Sequence, residues 1–129
     1  MSGKLFGLGV GPGDAELLTL KALRLIKESE VIAVPGNDTE NSVAYQIAKS
    51  VYGGLDEKIL LPVAMPMTKD AAVLEENHKK AADDVEVHLK QGRQVAFLTL
   101  GDPTVYSTYL YVHQRILERG YEVEIVSGI

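Results

Sequence analysis

The sequence predicts a three-layer α/β/α domain built around a five-stranded, mostly parallel sheet. Five short apolar runs have the length of buried strands, and segments with helical periodicity lie between them. Strands that alternate with helices at this spacing are joined by right-handed crossovers. Such crossovers place helices on both faces of a parallel sheet.

The first half of the chain supplies three strands and two helices. Strands are predicted at residues 4–10, 31–36 and 58–63, because these runs are short and apolar and the first two are bounded by glycine or proline. Helices are predicted over residues 15–28 and 43–51. On the first helix, the residues that recur at helical spacing and face the core are Leu18, Ala22, Leu25 and Ile26.

The second half begins with the longest helical pattern, over residues 70–91. Gly92 follows it in the usual place for a glycine after a helix. The apolar stripe of this helix is formed by Leu74, His78, Ala81, Val85 and Leu89.

Two further strands and one helix complete the pattern. Residues 94–100 are predicted to form a strand that is buried on both faces. A turn over residues 101–108 then leads to a helix over 109–119, which Gly120 ends. Residues 121–126 alternate between polar and apolar types, so this strand is expected at a more exposed position in the sheet.

The composition is typical of a globular protein with one domain of ordinary size: 129 residues, 46% apolar and 24% charged. The net charge of −5 argues against a nucleic-acid partner, which needs a basic face. The absence of cysteine excludes disulfides and thiolate metal sites. No apolar run approaches the roughly 20 residues that cross a bilayer, and no signal-peptide core is visible, so the expected location is the cytoplasm with no membrane partner.

The chain ends at Ile129, directly after its last predicted strand. Loops that follow the strands of an open parallel sheet are where ligands bind. We therefore expect residues 1–129 to be the N-terminal α/β domain of a longer, two-domain protein.

The first strand runs into a glycine-rich sequence, GLGVGPGD, at residues 7–14. The GxGxxG spacing of dinucleotide-binding folds is not met, whether the count starts from Gly7 or from Gly9. The second strand ends at residues 34–36 without the acid that holds a ribose in such folds. The Gly-Lys-Ser/Thr sequence of a P-loop is also missing. NAD and ATP are therefore not expected. Two interpretations stay open. Either the glycines only form a tight turn, or Gly7 and Gly9 let a ligand approach the backbone while Asp14 caps the next helix.

A second loop, LTLGDPTVYST at residues 98–108, is predicted at the same edge of the sheet. Gly101 and Pro103 are turn formers. The groups that the loop offers to a ligand belong to Asp102, Thr104, Tyr106, Ser107 and Thr108. The alternative is that Asp102 or Thr104 only caps the next helix. Two glycine-containing loops at one sheet edge favour a binding site.

Other polar clusters give weaker signals. None of His78, His88 and His113 stands at metal-ligand spacing from another histidine or from a nearby acid, so each is expected to be structural or solvated and no metal site is predicted. The acidic pairs at residues 75–76 and 83–84 are expected on the solvated face of the long helix.

Both loops resemble the signatures of one family. GLGVGPGDAELLTLKA is similar to the N-terminal signature of the tetrapyrrole (corrin/porphyrin) methyltransferases, and TLGDPTVYST is similar to their Gly-Asp-Pro loop. The resemblance covers the whole chain but only the family's N-terminal domain. VIAVPG and MPMTKD most resemble the precorrin-2 or cobalt-factor II C-20 methyltransferases.

This resemblance implies an enzyme that transfers a methyl group from S-adenosylmethionine to a carbon of a tetrapyrrole in cobalamin (vitamin B12) synthesis. It also implies two α/β domains, usually in a homodimer, with the cofactor in the cleft between the domains and the tetrapyrrole in front of it. The positions implied to contact the cofactor are Val10, Pro12, Leu100, Gly101, Asp102, Thr104, Val105 and Tyr106. Among them, Asp102 is implied to hold the methionine end.

One position departs from the family pattern. In the uroporphyrinogen-methylating relatives the second strand ends in an aspartate proposed as a base, whereas Pro35 stands here, so no catalytic residue is assigned. The other interpretations are another enzyme of the same fold, such as a different corrin or uroporphyrinogen methyltransferase or a diphthine synthase, and a non-catalytic binding module. Because one domain supplies half of the cleft, we expect the 129-residue chain to bind S-adenosylmethionine poorly.

Overall fold

Five parallel strands form one sheet in the computed structural model of the chain, which describes residues 3–9, 20–35, 45–46, 49, 53–63, 70–99 and 103–126. The spatial order is β3-β2-β4-β1-β5, and every paired neighbour is parallel. The strands are β1 (Lys4–Gly9), β2 (Val31–Pro35), β3 (Ile59–Val63), β4 (Val95–Thr99) and β5 (Glu122–Val126). This architecture confirms the predicted fold class.

Three helices have described bounds: α1 (Leu20–Glu28), α2 (Ala71–Lys90) and α3 (Pro103–Glu118). A 3₁₀ helix, Gly53–Glu57, precedes β3, and residues 45, 46 and 49 are also helical. Asp70 caps α2, because its carboxylate accepts hydrogen bonds from the backbone N–H groups of Ala72 and Val73 at 2.9 and 3.4 Å. Gly92 follows α2 with a φ of 78°, which a side chain rarely allows.

The sheet separates two apolar cores. One core joins α1 to the face of β1, β2 and β4 that carries Phe6, Leu8 and Ile32. The other joins α2 and α3 to the face that carries Leu5, Val31 and Phe97. The predicted stripe of α2 is confirmed by the burial of four of its members, His78, Ala81, Val85 and Leu89.

The central and edge positions of two strands agree with their sequence patterns. All five residues of β4 are buried, as predicted for a strand covered on both faces. β5 lies at one end of the sheet, where four of its five residues are exposed or half-buried and Val126 is buried. The pattern of apolar residues therefore located both strands correctly relative to solvent.

The start of α3 corrects the sequence prediction. Residues 103–108 were predicted as part of a turn, but the helix already begins at Pro103, six residues before the predicted start. Proline is well suited to the first position of a helix, because its φ is helical and its missing N–H has no partner there. The predicted start of α1 at residue 15 and its cap at Asp14 lie outside the described residues.

Candidate functional site

The carboxyl ends of β1 and β4 form the point where chain connections diverge. These strands are neighbours, and their register ends with Gly9 opposite Thr99. The chain leaves β1 toward α1 on one face of the sheet and leaves β4 toward α3 on the other face. In open parallel sheets, such a divergence opens a crevice in which ligands bind. The two loops singled out by sequence follow these two strands.

A buried hydrogen bond joins the two strand ends. The Thr99 hydroxyl donates to the carbonyl oxygen of Leu8 at 3.2 Å, and the Thr99 residue is 5% exposed. Because this bond lies one residue before Gly9, it fixes the spacing of the strands at the point where both loops begin.

The two edges of the sheet differ in charge. At the carboxyl edge the five strands end in uncharged residues, which are Gly9, Pro35, Val63, Thr99 and Val126. At the amino edge, charged residues line an open groove of about 540 Å³. There Lys58 Nζ donates to the carbonyl oxygens of Lys27 and Ser29, and the backbone N–H of Gln94 donates to the Glu30 carboxylate. These contacts join protein to protein, and the groove lies at the opposite end of the strands from the predicted site.

Gly7 has a different role from the one predicted. A Cβ atom at this position would lie 2.6 Å from the hydroxyl oxygen of Tyr109 and closer still to two carbons of its ring. The missing side chain therefore makes room for a buried ring of the core, not for a ligand. Tyr109 itself is fully buried. Its apolar spacing with Val112 and Ile116 signals a core position, but no local pattern in the sequence pairs it with Gly7.

Most of the predicted cofactor contacts fall outside the described residues. This holds for Val10, Pro12, Leu100, Gly101 and Asp102. The remaining three, Thr104, Val105 and Tyr106, lie in the first two turns of α3, where the structure describes the backbone and not the side chains. Their contacts stay predictions, while the strand ends that flank both loops are described.

The three histidines all have partners within the protein. His78 stacks on Tyr111 with ring centroids 4.3 Å apart, a 3.0 Å hydrogen bond joins His113 Nδ1 to the Tyr109 hydroxyl, and Arg93 donates to His88 Nδ1. Burial lowers the pKa of each imidazole below its ordinary value, so the neutral form is favoured. Within the described part of the chain, no group of three or more His, Cys, Asp or Glu residues could hold a metal ion.

Two of the acids expected on the solvated face of α2 are exposed, as expected, and each also pairs with an arginine. Glu75 pairs with Arg115, and Asp83 pairs with Arg119 at 2.9 Å, so both acids join α2 to α3. They remain more than half exposed, which keeps their contribution to stability small. Among the described helices, none is long and apolar enough to cross a membrane.

The family follows from a comparison of the whole chain. The family model described as "Tetrapyrrole (Corrin/Porphyrin) Methylases" matches residues 4–129. The chain therefore belongs to the tetrapyrrole methylase family, as its two loop sequences indicated.

Two individual relatives show which enzymes of the family the chain is similar to. A protein from Methanocaldococcus jannaschii named "Probable cobalt-precorrin-2 C(20)-methyltransferase" is 45% identical over 98% of this chain, which covers 53% of that protein. A precorrin-2 C(20)-methyltransferase from Sinorhizobium sp is 32% identical over 98% of this chain, which covers 54% of that enzyme. The chain thus spans about half the length of these relatives.

Solved structures agree with the fold. The uroporphyrin-III C-methyl transferase of Thermus thermophilus, complexed with S-adenyl homocysteine, is 30% identical and superposes with a TM-score of 0.61. The match covers 98% of this chain and 48% of that one.

Proposed function

We propose that this chain is the N-terminal domain of an S-adenosylmethionine-dependent methyltransferase that methylates C-20 of precorrin-2 or of its cobalt form in cobalamin synthesis. The similarity to proteins with this activity in their names supports the substrate. Their greater length supports the assignment of residues 1–129 to one of two domains. Both relatives align along nearly the full chain, so the proposal does not rest on a single motif.

The observation that supports the proposal best is the divergence of the chain between β1 and β4. Gly9 and Thr99 stand opposite each other there, and the two signature loops continue directly from them. A cofactor in the crevice between these loops would contact the positions implied by the resemblance, from Val10 and Pro12 on one side to residues 100–106 on the other. Asp102 is the proposed partner of the methionine end.

The described part of the crevice suits this cofactor. S-adenosylmethionine supplies a methyl group that is already activated by a positively charged sulfur. The carboxyl ends of β1 and β4 present no charged side chain, so no described group there repels a cation or attracts a phosphate. The domain's part in the reaction is to hold donor and acceptor in line, which by itself lowers the barrier substantially.

No base is assigned in this proposal. The second strand ends at Pro35, which has no proton acceptor in its side chain. The three histidines hydrogen-bond or stack within the protein. The proposal therefore assigns no residue to accept the proton that leaves the tetrapyrrole carbon.

Incubation of the full-length protein with S-adenosylmethionine and each substrate form tests the proposal. We expect one form to gain the mass of a single methyl group, and the form with the higher kcat/KM identifies whether cobalt is present in the natural substrate. Asp102→Asn removes the carboxylate proposed to hold the methionine end of the cofactor and should slow the reaction. No mass gain with either form would contradict the C-20 assignment and favour another tetrapyrrole methylase or a binding module.

The assembly and the location stay predictions. The family resemblance implies a homodimer, and light scattering on the full-length protein measures its mass directly. The cytoplasm is the proposed compartment, and fractionation of the source cells tests it.

A further inference from the structure

Tyr109 lies over the seam between the two strands that lead to the candidate site. Gly7 of β1 and Phe97 of β4 are register partners across this seam. The Tyr109 ring packs against the Phe97 ring edge-on, with centroids 5.2 Å apart at 62°, and occupies the space above Gly7. A single side chain of α3 therefore contacts both strands at their shared midpoint.

The fit between Tyr109 and Gly7 is tight. Even the smallest side chain at residue 7 would fall 2.6 Å from the Tyr109 hydroxyl oxygen, well inside van der Waals contact. A 3.0 Å hydrogen bond to His113 Nδ1, one turn further along α3, joins the hydroxyl from the other side. The ring is thus confined by a strand, by a second strand's aromatic ring and by its own helix.

The position of Tyr109 determines where α3 begins relative to the sheet. Val105 stands one turn before Tyr109, about 6 Å along the helix axis, and Pro103 opens the helix. A helix moves as a stiff unit over such a distance. A displacement of Tyr109 is therefore transmitted to the first turns of α3, where Thr104, Val105 and Tyr106 are proposed to contact the cofactor.

We propose that the Gly7–Tyr109 contact is a positioning device for the S-adenosylmethionine site. It sets where the first turns of α3 lie relative to β1 and β4, and it acts through the helix and not by contact with the cofactor. This inference rests on the proposed function. It assigns a positioning role to Gly7, which lies in the first signature loop, and to Tyr109, which lies just after the second.

Gly7→Ala in the full-length protein tests the inference. The new methyl group would push the ring by roughly 1 Å to reach normal contact. A misplacement of that size can reduce the efficiency of a site by up to about 100-fold. We expect the rate of methyl transfer to fall by about tenfold to 100-fold. The dissociation constant for S-adenosylmethionine, measured by calorimetry, should rise as well.

Two further variants separate positioning from loss of stability. Val85→Ala removes packing from the same core, but from α2 and not from β1, β4 or α3, and should lower the melting temperature while leaving the dissociation constant unchanged. Gly7→Ala combined with Tyr109→Leu removes the clash and should recover much of the affinity. If Gly7→Ala alone does not fold, Tyr109→Leu alone replaces it and should weaken binding relative to Val85→Ala at comparable stability.

The outcomes distinguish this inference from the proposed function. If the wild-type protein binds S-adenosylmethionine and the Gly7 and Tyr109 variants bind it equally well, the positioning role is wrong and the proposed function stands. If the wild-type full-length protein neither binds nor uses S-adenosylmethionine, both are wrong. Weaker binding by the seam variants, with unchanged binding by Val85→Ala, supports the positioning role and the use of S-adenosylmethionine.

Discussion

The Thr99 hydroxyl donates a hydrogen bond to the Leu8 carbonyl oxygen across the β1–β4 pair, at a point buried from solvent. The bond joins the last residue of β4 to the next-to-last residue of β1, and the two candidate loops follow these strands. It couples the stability of the sheet to the geometry of the candidate site.

Thr99→Val should destabilise the domain by about 1 kcal/mol, because it removes one buried hydrogen bond and keeps the shape of the side chain. Urea denaturation monitored by circular dichroism measures the change. Thr99→Ser is the matched control, because it keeps the hydroxyl and removes only the methyl group. Its loss of stability measures the packing of that methyl group with the hydrogen bond intact. Equal stability of Thr99→Val and wild type would show that the bond contributes nothing.

Asp102→Asn in the full-length protein should raise the dissociation constant for S-adenosylmethionine by tenfold or more. A hydrogen bond to a charged group contributes roughly 1.5–3 kcal/mol, and the variant removes the carboxylate charge. Calorimetry measures the affinity. Asp84→Asn makes the same chemical change in the middle of α2, so it should bind normally. Normal binding by Asp102→Asn would remove this residue from the site.

The stability of the domain should fall as the pH decreases from 7.5 toward 5.5. Burial lowers the pKa of His78 in the folded state, Arg115 lowers it further and Glu75 opposes the shift. The unfolded imidazole has a pKa near 6.5 and takes up a proton first, so protonation favours unfolding below about that pH. Thermal melts across this range measure the effect.

His78→Phe separates the contribution of this residue from those of the other titrating groups. Phenylalanine can keep the stacking on Tyr111 but cannot take up a proton. We expect the melting temperature of this variant to depend less on pH than that of the wild type. An unchanged slope would show that His78 does not control the pH dependence.

The 129-residue chain alone should bind S-adenosylmethionine much more weakly than the full-length protein. The family resemblance implies a cofactor site between two domains, and this chain is proposed to be one of the two. Side-by-side calorimetry of the two proteins, at the same temperature and salt, provides the comparison. Similar affinities would mean that one domain holds the complete site.

Periodicity and turn residues predicted most of the elements because both are local signals. The stripe on α2, its end at Gly92 and the buried run of β4 were all readable from neighbouring residues. The start of α3 was misplaced because Gly-Asp-Pro is compatible with a turn or with a helix start. From the sequence alone, the family was indicated only by the resemblance of the two loops to its signatures. The individual cofactor contacts stay predictions.

The sequence by itself determined the alternation of strands and helices, the fold class and the family, because each depends on residues close together in the chain. The tertiary structure decided the strand order, the divergence between β1 and β4 and the pairing of acids on α2 with arginines on α3. It also decided the role of Gly7, which lies about a hundred positions before Tyr109 in the chain and beneath it in the fold. Contacts between residues so far apart have no local pattern, since only the packed sheet and helix bring them together.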